Sequence, residues 1–362
     1  GLYLPAEIPL LPEALFRNMY EMSLKDISYV VLSAFVGEEL SSEKLKEAIS
    51  SIVTFPIPVI PLKGGRIFAA ELYHGPSGSY RDLSVRFMAY FFELFFDCPN
   101  NEKIKLVASV SSDYAIAVSD AFSFSDKFRI YIVYPKGKLS QEAQKKISKS
   151  GNNITAVEVR GSESECLAVT QASLTDKSLR DKVVLTSANS INISSVLSLV
   201  IQYFHICGRM MEQGADAGKI VFAVSGGNLA DAAPLLIAAE MGLPIKRIIA
   251  TYFEKEYQNP INKPRVDYLS KLSKIPVSTV LIKEDEMKLS SEVLFNHYNY
   301  AADNSSCLNA YALLKNIKDD EYGVFLSTSV PKKNPEEFGN MIQHTSISPT
   351  YNALKRIILT EK

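Results

Sequence analysis

The sequence predicts an α/β protein in which parallel sheets are covered by helices on both faces. From about residue 105 onward, runs rich in β-branched residues alternate with amphipathic segments of helical period. These runs are apolar at nearly every position, as is typical of strands buried on both faces of a parallel sheet. The first 60 residues instead carry three helical patterns. A mainly helical N-terminal segment is therefore expected to precede the sheets.

The same patterns predict the individual elements in chain order. Three N-terminal helices are predicted at 12–22, 24–36 and 41–52, with Ser41 or Ser42 as the N-cap of the third. The predicted strands are 105–112, 128–135, 154–161, 182–188, 219–227, 247–253, 278–283 and 323–329. Further helices are predicted at 115–124, from Ser140, at 163–172, from about Ser194 and at 229–242.

The composition is that of an ordinary globular protein and argues against several classes. The 362 residues suggest two or three domains, and 47% hydrophobic residues are enough for a large core. A formal net charge of -1 gives no overall attraction to nucleic acid or to an anionic membrane. Four scattered cysteines and four histidines form neither a disulfide framework nor a metal-ligand spacing. A reducing, cytoplasmic location without a bound metal is expected.

One loop has the composition of an anion-binding turn. Ser225-Gly226-Gly227-Asn228 joins a predicted strand to a predicted helix. Glycines allow a sharp turn there, and the N–H groups and the dipole at a helix start favour a phosphate. The loop matches neither the P-loop nor the GxGxxG pattern. By itself, a Gly-Gly pair at such a junction is more often only a turn.

Several stretches, in order along nearly the whole chain, resemble one known family. They are "ELYHGPSGSYRD" (71–82), "YPKGKLSQEAQ" (134–144), "LTSANSIN" (185–192), "SGGNLADA" (225–232) and "LSTSVPKKNPEEF" (326–338). Together they resemble threonine synthase, a pyridoxal-phosphate (PLP) enzyme of fold type II that converts O-phosphohomoserine to threonine. The resemblance implies a tryptophan-synthase-β-like architecture of two parallel-sheet α/β domains with an N-terminal helical segment.

The resemblance also implies domain boundaries and site residues. Residues 1–62 would form the helical segment, 63–104 with 205–362 the large domain, and 105–204 the small domain. The implied cofactor-binding residues are Ser225, Gly226, Gly227, Asn228, Leu229, Ala230 and Thr328, and the implied ligand is PLP. The implied substrate region is Ser111, Ser112, Asp113, Tyr114, Asn189, Ser190 and Asn192.

The family pattern breaks where the cofactor-linking lysine belongs. The family motif ends in Phe-Lys-Asp, whereas this chain has Tyr80-Arg81-Asp82. A lysine that loses its proton can attack the PLP aldehyde, but arginine keeps its charge throughout the physiological pH range. Arg81 is therefore expected to pair with an anion and not to form the internal aldimine. Ser305 also stands where the family has a histidine.

The residues that would hold the substrate are altered as well. Two glycines of the family's carboxylate-binding loop correspond to Ser112 and Ala115, and a threonine corresponds to the bulkier Tyr114. Ser195 replaces an arginine suited to the substrate phosphate, and Val330 replaces a histidine. The changes fall on groups that touch cofactor and substrate, while strand and helix patterns are kept.

Three functions remain open from the sequence. The first is a threonine-synthase-like pseudoenzyme that has lost the family activity. The second is an enzyme or binding protein for another phosphorylated or amino-acid-like ligand, or for PLP held without a covalent bond. The third is a non-catalytic partner of an active paralogue. No nucleic-acid or membrane partner is expected, and the sequence leaves monomer and homodimer open.

Overall fold

The computed structural model describes residues 2–96, 103–109, 112–123, 125–189, 192–257, 260–330 and 345–360. The chain divides into two compact units. Unit 1 comprises Gly1–Ser84 and Ile193–Lys333, and unit 2 comprises Val85–Asn192 and Asn334–Lys362. The three-part division expected from the sequence stays a prediction, and each unit is described separately below.

Helices and strands alternate along most of the described chain. The helices are α1 (Glu13–Asn18), α2 (Leu24–Val36), α3 (Ser42–Ile52), α4 (Asp82–Phe95), α5 (Ser112–Phe122), α6 (Gln141–Ser148), α7 (Glu163–Thr175), α8 (Lys177–Arg180), α9 (Ile193–Glu212), α10 (Ala232–Glu240), α11 (Lys263–Ser273), α12 (Glu284–Tyr298), α13 (Asn304–Asn316) and α14 (Tyr351–Thr360). The strands are β1 (Val59–Pro61), β2 (Ile67–Glu71), β3 (Ile104–Ser109), β4 (Phe128–Pro135), β5 (Ile154–Val159), β6 (Leu185–Ser187), β7 (Ile220–Ser225), β8 (Arg247–Phe253), β9 (Val277–Ile282), β10 (Tyr322–Ser327) and β11 (Thr345–Ile347).

The described residues of unit 1 form a six-stranded sheet in the order β1-β2-β10-β7-β8-β9. Neighbouring strands run parallel except for β1, which pairs antiparallel with β2. The turn between those two strands contains Gly64 and Gly65, both with positive φ, which glycine adopts without strain. Central strands such as β7 and β10 are buried along almost their whole length, as predicted for a sheet covered on both faces.

Two of the N-terminal helices of unit 1, α2 and α3, begin at serine capping residues. Ser23 and Asp26 form a reciprocal capping box at the start of α2. Ser41 accepts a hydrogen bond from the backbone N–H of Lys44, so it is the N-cap of α3 as predicted. The expected helical segment is therefore present, and the sheet of unit 1 follows it.

Unit 2 is built on a five-stranded parallel sheet in the order β11-β5-β4-β3-β6 among its described residues. One face carries a core of α5 and α6 residues packed on β3 and β4, including Phe122, Phe128 and Ile130. The other face packs α7 and α14, with Val169, Leu354 and Ile358 buried. Helices on both faces explain why these strands are apolar throughout.

Most predicted strands and helices lie within one or two residues of the observed ones, and 128–135 and 247–253 match the observed strands. The patterns did not predict β1 and β2, which are short and lie beside the glycine turn. In the described part of the chain, no helix is both long and apolar enough to cross a bilayer.

Candidate functional site

The tight turn before α4 positions Arg81. The Asp82 carboxylate accepts a hydrogen bond from the backbone N–H of Ser77 at 2.9 Å, and Ser79 Oγ accepts one from the N–H of Arg81 at 3.2 Å. Gly75 packs so closely on this carboxylate that an added Cβ would lie 2.3 Å from Asp82 Oδ2. The small and polar residues of the motif therefore hold the Arg81 backbone in place.

The guanidinium of Arg81 forms a two-pronged ion pair with Asp231. Nη1 lies 3.0 Å from Oδ1, and Nη2 donates to Oδ2 at 3.2 Å. The side chains of Arg81 and Asp231 are only 5% and 3% exposed. The ring of Tyr80 lies 4.3 Å from Arg81 Cζ, which adds a cation–π contact. The arginine in the lysine position thus has an anionic partner within the protein.

Burial sets the electrostatics of this pair. It raises the pKa of the Asp231 carboxyl, and the charge of Arg81 opposes that rise. Since arginine stays protonated, the carboxylate is the group that balances a buried positive charge. Tyr203 donates a hydrogen bond to the Asp231 carbonyl at 2.7 Å, and burial raises the pKa of this phenol well above its ordinary value. The Asp231 backbone is therefore held as well as its side chain.

The 225–230 loop lies directly before Asp231, and several of its N–H groups donate to acceptors within the protein. The N–H of Gly226 donates to the Thr251 carbonyl at 2.6 Å, and that of Leu229 donates to the Gly226 carbonyl at 2.5 Å. The N–H of Ala230 donates to Asn228 Oδ1 at 3.0 Å. Three donors of the predicted anion cradle are thus used to hold the loop itself.

The backbone of the 225–230 loop is sharply bent. Gly227 has φ +26°, and Leu229 has φ +59°, a left-handed conformation that is uncommon for a residue other than glycine. The Tyr252 ring covers Gly226, where an added Cβ would lie 2.4 Å from the ring. The loop therefore needs glycine at position 226 so that it can pack closely against Tyr252. From the sequence, the Gly-Gly pair had indicated only a turn.

Two residues of the predicted cofactor site, Ser225 and Thr328, contact residues of α13. Ser225 Oγ lies 2.8 Å from Ser305 Oγ, and Asn309 Nδ2 donates to Ser225 Oγ at 3.2 Å. The N–H of Thr328 donates to Ser306 Oγ at 2.9 Å. The structure thus brings Ser225 together with Ser305, the residue in the family's histidine position, and Thr328 lies against the start of α13.

A cluster at the carboxyl ends of β2 and β10 was not singled out from the sequence. His74 Nε2 lies 2.7 Å from Glu71 Oε2, while Tyr300 donates to Glu71 Oε1 at 2.9 Å and contacts Ser327 Oγ at 3.3 Å. Burial raises the pKa of the neighbouring Tyr73 phenol to about 12, with a smaller contribution from Glu71. The pair Glu71 and His74 was visible in "ELYH", but nothing local indicated Tyr300.

In unit 2, two asparagines of the "SANSIN" stretch differ in their hydrogen bonding. Asn192 Nδ2 donates to the Ser187 carbonyl at 3.0 Å. Asn189 is only 5% exposed, and neither its Oδ1 nor its Nδ2 has a hydrogen-bond partner in the part of the chain that the structure describes. Tyr114 on α5 is also buried. An amide buried without a partner costs free energy unless water or a ligand satisfies it.

The remaining predicted residues are placed as follows. Ser111 and Ser190 lie outside the described residues, and Ser112 and Asp113 are described only as part of the α5 backbone. Ser195, on α9, is fully buried, and its Oγ has no hydrogen-bond partner among the described residues. Val330 is 54% exposed. The structure thus describes only part of the predicted substrate region.

Solved structures with the same fold place the chain in a structural class. The crystal structure of threonine synthase from Escherichia coli matches with a TM-score of 0.89 and 24% identity, over 99% of this chain and 93% of that one. The structure of PLP-bound threonine synthase from Brucella melitensis matches with a TM-score of 0.82 and 20% identity, over 99% and 93%. The chain therefore has the architecture of the fold type II PLP enzymes.

Sequence comparison identifies the family within that class. The family profile "Threonine synthase N terminus" matches residues 1–52. The threonine synthase of Buchnera aphidicola subsp. Baizongia pistaciae is 30% identical over 383 aligned positions, which cover 97% of this chain and 87% of the relative. The chain belongs to the threonine synthase family.

Proposed function

We propose that this member of the family does not convert O-phosphohomoserine to threonine and phosphate. The carrying observation is the buried ion pair between Arg81 and Asp231, with oxygen–nitrogen distances of 3.0 and 3.2 Å. The resemblance places the cofactor-linking lysine at this position. A residue that keeps its charge and is already paired cannot act as the amine nucleophile that the family chemistry needs.

The residues present do not fit a covalently held PLP. The cofactor supplies an aldehyde that condenses with an unprotonated primary amine, and the guanidinium of Arg81 offers none. The phosphate end of the cofactor would use N–H donors of the 225–230 loop, but those of Gly226, Leu229 and Ala230 already donate to protein acceptors. Both ends of the expected cofactor site therefore argue against the family reaction.

The substrate side supports the same proposal. Ser195 replaces an arginine, and its buried hydroxyl cannot supply the charge-assisted clamp that an arginine gives a phosphate. The exposed Val330 replaces a histidine and offers no group for proton transfer. Each lost interaction of about 1.4 kcal/mol lowers the rate tenfold, so several losses together leave negligible turnover even though they do not add strictly.

The proposal is tested by measuring turnover directly. The purified chain is incubated with PLP and O-phosphohomoserine, and threonine and inorganic phosphate are quantified, with E. coli threonine synthase assayed in parallel. We expect no threonine above the level without protein. Threonine and phosphate released in equal amounts, in repeated turnovers, would show that the family activity is retained and would end the proposal.

Restoring the lysine is a companion test. Arg81→Lys is expected to leave the chain without threonine synthase activity, because Ser195 and Val330 still stand in place of the family's arginine and histidine and the new ammonium still faces Asp231. The double variant Arg81→Lys/Ser195→Arg is assayed with it. Turnover regained by the single change would mean that the substrate-side substitutions do not abolish the reaction.

A second function, binding of another small ligand, is favoured by Asn189. Its amide is buried and offers both a donor and an acceptor with no partner in the described chain, a pairing that suits a carboxylate, amide or phosphate. Thermal unfolding with a panel of phosphorylated metabolites, amino acids and PLP tests this. We expect at least one compound to raise the melting temperature of the native chain but not of Asn189→Leu. A panel that leaves the native chain unmoved would remove this function.

A further inference from the structure

We propose that Arg81 is an anion-binding residue whose resident ligand is the protein's own Asp231 carboxylate. In this view Asp231 closes a site that would otherwise take a small carboxylate or phosphate, and the fold of unit 1 needs no external anion there. The inference rests on the proposed function, since both take Arg81 as a cation that forms no imine. Its test below is independent of turnover.

The geometry of the pair is that of ligand recognition by a guanidinium. Nη2 of Arg81 donates to Oδ2 of Asp231 at 3.2 Å, and Nη1 lies 3.0 Å from Oδ1 in an ion-pair contact. Arginine frequently binds carboxylates and phosphates through both of its terminal nitrogens. Both side chains are almost completely buried. The carboxylate therefore resembles an anion bound inside a site, and it differs from the counter-ion of an exposed surface pair.

The position of Asp231 supplies a second, independent observation. Asp231 is the N-cap residue of α10, yet its side chain makes no capping hydrogen bond to that helix. Aspartate at this position normally accepts from the N–H groups of the first helical turn. Here the carboxylate turns to Arg81 while still lying at the positive end of the helix dipole. The residue gives up an ordinary capping role to serve as the counter-ion.

The adjoining 225–230 loop is consistent with a site closed from within. The N–H groups of Gly226, Leu229 and Ala230 donate to protein acceptors, and the Tyr252 ring lies against Gly226. A loop arranged to hold an external phosphate would direct such donors toward the ligand. Three backbone donors of the loop are therefore used within the protein, and the Arg81 cation is paired with Asp231.

Chemical rescue of a cavity variant tests the proposal. Asp231→Ala removes the carboxylate and leaves space beside the Arg81 guanidinium. Melting temperatures are measured in sodium formate and in sodium chloride at equal ionic strength. We expect Asp231→Ala to melt at least about 5 °C below the native chain in chloride, and formate to recover a large part of that loss. The native chain should melt at the same temperature in both salts.

A matched control separates this site from general salt effects. Asp267 forms a half-exposed ion pair with Lys263 on α11, so Asp267→Ala removes a carboxylate from an arginine-free surface pair in the same unit. It should show no difference between formate and chloride. Equal recovery of Asp231→Ala and Asp267→Ala by formate, or no recovery of Asp231→Ala, would overturn the proposal.

Further arms cover the source of the anion and a failure to fold. Inorganic phosphate and PLP are tested in place of formate. A rise in the melting temperature that the native chain and Asn189→Leu both show would indicate an open anion site at Arg81 and contradict the proposal. If Asp231→Ala does not fold, Arg81→Met/Asp231→Ala is used instead. The double variant should fold, since the unpaired buried cation is gone, and its failure to fold as well would count against the coupling of the two residues.

Discussion

Arg81 in unit 1 and Asn189 in unit 2 both lie in stretches that resemble family motifs, but their surroundings differ. Arg81 is buried against Asp231, and the neighbouring 225–230 loop uses three of its N–H groups within the protein. Asn189 is buried with neither end of its amide hydrogen-bonded among the described residues. Both side chains are thus buried, but only Arg81 has a polar partner among the described residues.

The difference shows how the cost of burying an unpaired polar group depends on its charge. A buried cation cannot be left unpaired without a large cost, so a change to arginine persists only beside a counter-ion such as Asp231. A neutral amide such as Asn189 costs about 1–3 kcal/mol when its partner is absent, which a folded protein can tolerate. The buried Arg81 therefore requires a counter-ion such as Asp231, whereas Asn189 can be buried without a partner at a smaller cost.

The largest expected effect comes from breaking the closed pair. Arg81→Met leaves the Asp231 carboxylate buried without its cation, and we expect the free energy of unfolding to fall by about 3–5 kcal/mol, measured by urea denaturation. The control is Arg17→Met, which removes the exposed pair with Glu13 and should cost less than about 1 kcal/mol. Similar losses in both variants would mean that the Arg81–Asp231 pair contributes no more to stability than an exposed surface pair.

A pH scan tests a buried group of unit 1 outside the pair, His205 on α9. Burial lowers the pKa of His205 from 6.5 to about 4, and Arg209 adds a smaller effect in the same direction. As the pH falls, the unfolded chain therefore takes up a proton on this histidine before the folded chain does. The contribution of neutral His205 to the free energy of unfolding is fully present above pH 6.5 and falls by about 3 kcal/mol as the pH drops toward 4. The stability difference between the native chain and His205→Gln should show this slope. A difference independent of pH would exclude His205 as its source.

The packing of the 225–230 loop gives an intermediate effect. Gly226→Ala drives a methyl group into the Tyr252 ring, and we expect a loss of about 1–3 kcal/mol in the free energy of unfolding. In a Tyr252→Ala background the added methyl has room, so the same change should cost less, and a double-mutant cycle measures the coupling. Additive effects would indicate that the ring does not close over the loop.

The smallest expected effect concerns the open amide. Asn189→Leu removes two polar atoms that have no partner among the described residues, and it is expected to leave stability unchanged or to raise it by about 1 kcal/mol. Asn192→Leu is the matched control, because Asn192 donates to the Ser187 carbonyl and its loss should cost about 1 kcal/mol. Destabilisation by Asn189→Leu equal to that of the control would show that its amide is satisfied after all.

Local patterns were enough to predict much of the fold. Continuous apolar runs predicted the buried strands, and Ser41 predicted the start of α3, because periodicity and capping depend on residues close in sequence. The short strands β1 and β2 were missed, since their pairing depends on a glycine turn and on β10 from the far end of the chain. Periodicity predicted the α/β class, and the resemblance to the family supplied the fold type II architecture that periodicity alone could not.

The sequence proposed candidate site residues but not their contacts. The motif around Arg81 indicated a cation in place of an amine, yet its partner Asp231 lies 150 positions away. In the same way, "ELYH" contained Glu71 and His74, but Tyr300 approaches Glu71 across 229 positions. Spacing within a motif carries no information on such partners, so the closure of the site became visible only in the folded chain.

The most direct test of the central claim is whether any side chain of this protein forms an imine with PLP. The native chain is incubated with PLP, its absorbance spectrum is recorded, and the sample is reduced with sodium borohydride and analysed by peptide mass spectrometry. We predict no imine band and no peptide carrying a reduced PLP adduct in stoichiometric amount. A single lysine carrying the reduced cofactor in full occupancy would contradict the account.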